Sequence, residues 1–132
     1  MSVTWRADRT LVAEPFASNV DALLAADPGD WIITCGARDP AVEAAGYAVW
    51  LADHTQPKFT NPTNSAHCCA PARAVDVTLV IGTADDWDYK DQAWRRLVAA
   101  EDASLHLHSL DCIGDTDHIE ETNWRAHAQV PV

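Results

Sequence analysis

Regular alternation of apolar and polar residues between Arg73 and Ile81 is the strongest constraint on how this chain can fold. Every second residue from Val75 onward is aliphatic, and Asp76 and Thr78 lie between them. Successive side chains of a β-strand point to opposite faces, so the pattern predicts a strand with one face on a core. The same pattern puts Asp76 on the other face, where a carboxylate meets a cleft instead of being buried without a partner.

Other segments indicate that helices pack on a small sheet around this strand. Apolar spacing and capping signals predict three helices, over residues 15–26, 40–52 and 91–103. Short strands are predicted over residues 31–35, over 105–108 and from His118 onward, with loops over 54–64 and 82–91. The helix at 40–52 is expected to bury an apolar stripe that includes Val42 and Val49. We expect one α+β domain over residues 1–132, with helices on one face of a small antiparallel sheet.

Composition narrows the class of protein and its partners. The chain has 132 residues, 48% of them hydrophobic, and six tryptophans, which is enough for a packed core. A formal net charge of −11 weighs against nucleic acid and anionic membranes as partners. No apolar run is long enough to span a bilayer, and no signal peptide is evident. We expect a monomer that is made in the cytoplasm and acts elsewhere only after release.

The four cysteines are irregularly spaced, at Cys35, Cys68, Cys69 and Cys112. In a chain without a secretion signal, this spacing favours free thiols over a disulfide framework.

Three residues, His67, Asp76 and His118, form a donor set that suits zinc. Two imidazoles and one carboxylate leave a fourth coordination position for water, as in catalytic zinc sites. Asp115 lies three residues before His118, close enough to act as a base on that water. Asp117 competes for this role, but on a regular strand it would face away from His118, which favours Asp115.

These residues resemble the motifs of the zinc D-Ala-D-Ala carboxypeptidase and L-alanyl-D-glutamate endopeptidase family, which shares its core fold with the hedgehog signalling domain. The family pattern is Ser-x-His, then Gly-x-Ala-x-Asp, then an acidic residue, two spacers and His. The matching residues are Ser65-x-His67, Arg73-Ala74-Val75-Asp76 and Asp115-x-x-His118. Upstream, Thr34-Cys35-Gly36-Ala37-Arg38-Asp39 is similar to the family's Thr-Ser-Gly-Tyr-Arg-Ser turn.

The spacing of the first two motifs departs from the family pattern. Asp76 follows His67 by nine positions, whereas the family has seven, and alanine replaces the family's glycine at position 70 or 72. A two-residue loop insertion restores the match at low entropic cost. The alternative register makes Cys69 the ligand, seven positions before Asp76. We favour His67 because it preserves the Ser-x-His pair.

The resemblance implies a hedgehog/DD-peptidase-like fold, a zinc cofactor and a peptidoglycan stem peptide as substrate. It implies that Asp115 is the general base, that Arg38 binds a substrate carboxylate or the oxyanion, and that Ser65 hydrogen-bonds the substrate. Without the resemblance, Arg38 would be read as a salt-bridge partner of Asp39 or Glu43, and Ser65 as a turn residue.

The expected activity is cleavage of the L-alanyl-D-glutamate bond, and the expected kind of protein is a phage endolysin. The alternatives are a D-Ala-D-Ala carboxypeptidase, or a non-catalytic zinc-containing binding module or phage tail component. His106 and His108 either line the cleft or form a polar strand face. The acidic residues between 85 and 91 favour a solvated loop over a calcium site, because their spacing lacks the alternating ligands of a calcium loop.

Overall fold

A computed structural model describes residues 2–104 and 106–127 of the chain. Within these residues there are six strands: β1 (Ser2–Trp5), β2 (Asp30–Cys35), β3 (Ala74–Ile81), β4 (Ala84–Asp86), β5 (Leu107–Leu110) and β6 (Asp115–Glu121). The α-helices are α1 (Phe16–Ala25), α2 (Pro40–Ala52), α3 (Gln92–Ala103) and α4 (Trp124–His127). No helix in this part of the chain has the length and apolar character needed to cross a bilayer.

The strands form one mixed sheet with β3 at its centre. The order is β1-β2-β3-β6-β5, and β4 pairs with the far end of β3. The predicted α+β class is confirmed, with one difference in strand direction. β1 and β2 are parallel while the other pairs are antiparallel. The difference arises because α1 connects β1 to β2 as a crossover, and such a connection returns the chain in the same direction.

The main core lies between one face of the sheet and helices α1 and α3. Val75, Val77 and Leu79 of β3 are buried in it, as the alternation predicts. Trp31 of β2 meets Trp94 of α3 edge to face, with ring centroids 5.0 Å apart. Because these side chains occupy the core face, the intervening residues of β3 point to the opposite face of the sheet.

Helix α2 begins as predicted but does not bury the stripe expected of it. Asp39 caps it, since Asp39 Oδ1 accepts a hydrogen bond from the backbone N–H of Ala41 at 2.8 Å. Val42 and Val49 are 58% and 53% exposed, however, so the burial prediction for this helix was wrong. The helix packs instead against the following loop. A Cβ at Gly46 would lie 2.5 Å from the Phe59 ring, which leaves room only for glycine.

The acidic segment contains a strand that its sequence does not indicate. Gly82, with a φ of +64°, makes the turn after β3, and β4 then pairs back onto β3. Only glycine adopts this backbone region at little cost, which fixes the turn at this position. Two of the three β4 residues are aspartates, so no apolar alternation is available to predict the strand.

The side chain of Glu101 on α3 is fully buried, and among the described residues neither carboxylate oxygen has a hydrogen-bond partner. Burial, together with the charges of Asp102 and Asp111, raises its pKa from 4.5 to about 9. The folded protein therefore holds this proton at neutral pH while the unfolded chain does not. The free energy of unfolding then decreases as pH rises from 4.5 towards 9.

We expect Glu101→Gln to stabilise the protein at pH 7 and not at pH 4. Glutamine keeps the shape of the side chain but does not ionise. Holding the Glu101 carboxyl protonated in the folded protein costs about 3 kcal/mol at pH 7 if its pKa in the unfolded chain is the ordinary one. Denaturant unfolding of both proteins across this pH range measures the difference. Asp85→Asn, which neutralises an exposed carboxylate, is the control for the loss of one negative charge. Parallel profiles for Glu101→Gln and the unsubstituted chain would contradict the assignment.

Candidate metal centre

Three potential ligands lie in a row across the open face of the sheet. Asp76 of β3 pairs directly with Cys35 of β2 on one side and with His118 of β6 on the other. Residues directly opposite each other on antiparallel strands project their side chains to the same face. A bulge in β2 at Thr34 sets this register, because it brings Cys35 instead of Thr34 opposite Asp76.

His67 completes the cluster from the loop that precedes β3. Its Nδ1 lies 2.7 Å from the carbonyl oxygen of Gly36, and since a carbonyl only accepts, Nδ1 carries the proton. The loop is held in place by backbone hydrogen bonds from Arg38 N to His67 O and from Arg73 N to Ala66 O. The Nε2 atom of His67 faces Asp76 and is the ring nitrogen left for a metal.

His118 is oriented in the same way by a carboxylate. Its Nε2 donates to Glu120 Oε1 at 2.8 Å, which leaves Nδ1 to face the cluster. Metal-binding histidines in proteins usually donate their second ring N–H to a carboxylate or a backbone carbonyl. Both His67 and His118 have such a partner, so the second nitrogen of each ring, which can bind a metal once it loses its proton, faces the same point.

The separations between the donor atoms fit a zinc ion. His67 Nε2 lies 3.2 Å from Asp76 Oδ1 and 3.2 Å from His118 Nδ1, and the latter lies 3.5 Å from Asp76 Oδ1. Tetrahedral zinc with bonds of 2.0–2.1 Å to nitrogen and oxygen holds its donors about 3.3 Å apart. The residues predicted as ligands are thus brought together at the spacing that zinc requires.

The electrostatics of the cluster favour a cation. Burial would lower the pKa of His67, but its contacts with Asp76 and Cys35 together outweigh burial and raise the pKa to about 10. The pKa of His118 is raised to about 9 by Asp76 and Glu120 against the same effect of burial. Burial would raise the pKa of Asp76, but the two histidines hold it well below its usual range. A metal ion that binds here would displace the imidazole protons, so its affinity would rise with pH.

Cys69 lies apart from these donors. Its Sγ donates to the carbonyl oxygen of Ala66 at 3.1 Å, and the side chain packs in a small cluster with Ala74 and Trp124. Of the two registers considered for the first ligand, the structure brings His67 and not Cys69 to Asp76.

Arg38 lies at the edge of the cluster. Its Nη2 donates to Asp76 Oδ2 at 3.0 Å and lies 3.4 Å from Cys35 Sγ. Its Nη1 lies 3.6 Å from the buried carboxylate of Glu43, which is one of the salt bridges considered for it. The Arg38 side chain is one-third exposed, so part of it is accessible to solvent. Ser65 is buried at the start of the His67 loop, and its role towards substrate stays a prediction.

Asp115 stands beside His118 at the solvent side of the site. Its Oδ2 is 3.9 Å from His118 Nδ1, and its side chain is 49% exposed. Asp115 is thus close to the ligands and open to water, and its role as a base stays a prediction.

Asp117 also reaches the site, so the strand-face argument that favoured Asp115 over it was wrong. Consecutive residues of β5 pair with Ile119 and Asp115, and the intervening residues of β6 have no partner on β5. Side-chain alternation breaks down at such an irregularity. The Asp117 carboxyl interacts with Asp76 and Asp115, and burial together with these charges raises its pKa to about 7.

Two residues that were not predicted as site residues, Cys35 and Tyr89, also lie at the site. Burial and the charges of Asp117 and Asp115 raise the pKa of Tyr89 to about 12. Its hydroxyl is therefore a hydrogen-bond donor beside the two acids. A signal for Cys35 did exist, because it replaces the serine of the family's Thr-Ser-Gly turn.

His106 and His108 lie outside the ligand set. His108 is exposed on β5 opposite Glu120, and both line a cavity of about 530 Å³ that Trp124 also lines. His106 precedes β5 and is exposed.

Comparison with known proteins supports the fold. No family model and no curated protein matches the chain. Among solved structures, it is similar to the crystal structure of the Serratia marcescens L-Ala D-Glu endopeptidase ChiX, with a TM-score of 0.60 and 16% sequence identity. The match covers 90% of this chain and 86% of that one. The predicted fold class is confirmed: helices and a six-stranded sheet are arranged as in this endopeptidase.

We expect His67→Ala to abolish zinc binding and Cys69→Ser to retain it. The first change removes a donor at 3.2 Å from two others, while the second alters a thiol that packs elsewhere. Isothermal titration with zinc compares both variants with the unsubstituted chain. Loss of binding in Cys69→Ser, with binding kept in His67→Ala, would establish the other register.

Glu120→Ala should weaken zinc binding about 10–100-fold without abolishing it, which is the usual cost of removing an outer-shell partner. Glu121→Ala is the matched control on the same strand, because that carboxylate pairs with Arg73 instead. Equal zinc affinities for the two variants would contradict an orienting role for Glu120.

Proposed function

We propose that this protein is a zinc-dependent peptidase that hydrolyses peptidoglycan stem peptides. The carrying observation is the spacing of His67 Nε2, Asp76 Oδ1 and His118 Nδ1, 3.2 to 3.5 Å apart with both rings oriented by second partners. The fold that carries these donors is similar to that of a protein described as an L-Ala D-Glu endopeptidase. Fold alone does not fix function, so the proposal rests on the site.

His67, Asp76 and His118 would hold the zinc ion. When bound, zinc polarises a carbonyl and lowers the pKa of water towards neutrality. The protein's own contribution is a fixed geometry. Two of the donors project from neighbouring strands of one sheet, and the third is tied to the backbone of Gly36. Ligands on such rigid supports need little rearrangement during a reaction.

Asp115 is the proposed general base. A carboxylate at this position accepts the proton of the attacking water and returns it to the amine that leaves. Its exposure fits that role, because water must reach it. Its distance of 3.9 Å from the site-facing nitrogen of His118 keeps it next to the ligands without making it one of them.

Arg38 is the proposed anchor for a substrate carboxylate. One side of its guanidinium is tied to Asp76 and Glu43, while one-third of the side chain remains exposed. In an L-alanyl-D-glutamate bond, the α-carboxyl of glutamate is free and lies next to the scissile amide. A planar guanidinium suits such a carboxylate because it can donate two parallel hydrogen bonds.

The L-alanyl-D-glutamate bond is the preferred target, because the structurally similar protein is described by that activity. Cleavage between two D-alanines is the alternative, since a C-terminal carboxylate would satisfy Arg38 equally well. A non-catalytic zinc-containing module is the remaining alternative. The exposed carboxylate of Asp115 argues against it, because a purely structural site needs no base.

Asp115→Asn should fold and bind zinc but lose about 10²–10⁴-fold in hydrolysis, the usual contribution of a general acid-base group. Asparagine keeps the size of the side chain and cannot take up the proton. Release of soluble peptides from purified peptidoglycan, measured with and without chelator, gives the rates. Asp117→Asn is the matched comparison, because its carboxyl lies beside Asp115. A large loss in Asp117→Asn alone would transfer the role to that residue.

Stem peptides digested by the protein should yield new fragments with N-terminal D-glutamate, identified by mass spectrometry. Release of free D-alanine with the Ala–Glu bond intact would assign the carboxypeptidase activity instead. Stem peptides that stay uncleaved after incubation with the zinc-loaded protein would point to the non-catalytic module.

A further inference from the structure

Cys35 is the cysteine whose sulfur joins the metal donors. Its Sγ, a ring nitrogen of His67 and a carboxylate oxygen of Asp76 all lie within 4.8 Å of one another. Cys35 pairs directly with Asp76 across the sheet, so its side chain projects to the face that carries His118. The cluster thus contains two overlapping triads, which share His67 and Asp76 and differ in their third donor.

We propose that Cys35 Sγ binds the same metal ion as His67, Asp76 and His118 and fills its fourth coordination position. This inference rests on the metal site of the proposed function and adds a ligand to it. On binding, a metal–sulfur bond forms and the thiol proton is released to solvent. The resting site is then closed, with four protein ligands, and water or substrate must displace the sulfur before hydrolysis.

The surroundings of Cys35 favour ligation over a packing role. The thiol is only partly buried, unlike those of Cys68 and Cys69. Arg38 Nη2 lies 3.4 Å from Sγ, so a cation supports the thiolate that a metal requires. The bulge in β2 aims this side chain at the cluster, where regular pairing would aim Thr34. A thiolate also makes the donor set softer, which favours zinc over magnesium or manganese.

Cobalt substitution tests the sulfur ligand directly. The full chain is loaded with Co²⁺, its cobalt content is measured, and the near-ultraviolet spectrum is recorded. A thiolate-to-cobalt charge-transfer band is expected in the unsubstituted chain and in Cys69→Ser and Cys112→Ser. The band should be lost in Cys35→Ser, with zinc affinity at least about tenfold weaker, since even outer-shell losses cost 10–100-fold.

Alkylation of the unsubstituted chain gives a second measurement that needs no variant to fold. Zinc should protect Cys35 from iodoacetamide, as read by peptide mapping, while the exposed Cys112 reacts equally with and without zinc. A cobalt-loaded chain without the band, a band that persists in Cys35→Ser, or a Cys35 that zinc leaves fully reactive would each overturn the proposal.

These measurements do not depend on hydrolysis, so the two proposals can fail separately. A chain that shows the band and the protection but cleaves no stem peptide retains the sulfur ligand and loses the peptidase assignment. A chain that cleaves stem peptides without the band does the reverse. A chain that binds no metal overturns the ligand proposal together with the site on which it rests.

Discussion

Burial of the Asp76 carboxylate near the middle of the sheet imposes a requirement on everything packed around it. Its side chain is only 19% exposed, and a buried carboxylate is costly unless it is paired and hydrogen-bonded. His67, His118 and Arg38 meet this requirement from three directions, at 3.2, 3.5 and 3.0 Å. The bulge in β2 and the anchored loop before β3 are the backbone features that bring these partners to it.

One face of the sheet packs on the apolar core, and the other face carries the candidate metal ligands. Helices α1 and α3 cover one face with a continuous apolar core, which fixes the strands that carry Asp76 and His118. The other face needs no such cover at the site, because its side chains satisfy one another. Since three adjacent strands supply a row of donors, small shifts of one loop would leave most of the cluster in place. A rigid sheet with one further ligand on an anchored loop is a suitable support for a metal centre.

The sequence predicted β3, α1 and α3, because an element buried on one face carries apolar residues at the regular spacing of a strand or a helix. It also predicted the ligand types, because two imidazoles and a carboxylate have recognisable chemistry wherever the chain brings them. It did not predict Cys35, and it favoured Asp115 over Asp117. Both Cys35 and Asp117 reach the site through irregular strand pairing, which arises only when neighbouring strands assemble. The failed burial prediction for α2 also arises from contacts made only in the folded chain. Gly46 packs against Phe59 of the adjacent loop, and helical spacing alone does not indicate this contact.

An open zinc site uses three protein ligands and a base, whereas this cluster offers Cys35 as a further donor. If sulfur holds the fourth position, hydrolysis requires that Cys35 leave it. Arg38 links that step to substrate, because the same Nη2 lies 3.4 Å from Sγ and 3.0 Å from Asp76 Oδ2. A substrate carboxylate bound to this guanidinium would compete for its hydrogen bonds and weaken its support of the thiolate. Substrate binding and opening of the site would then be coupled through one side chain, and their coupling free energy would be reciprocal.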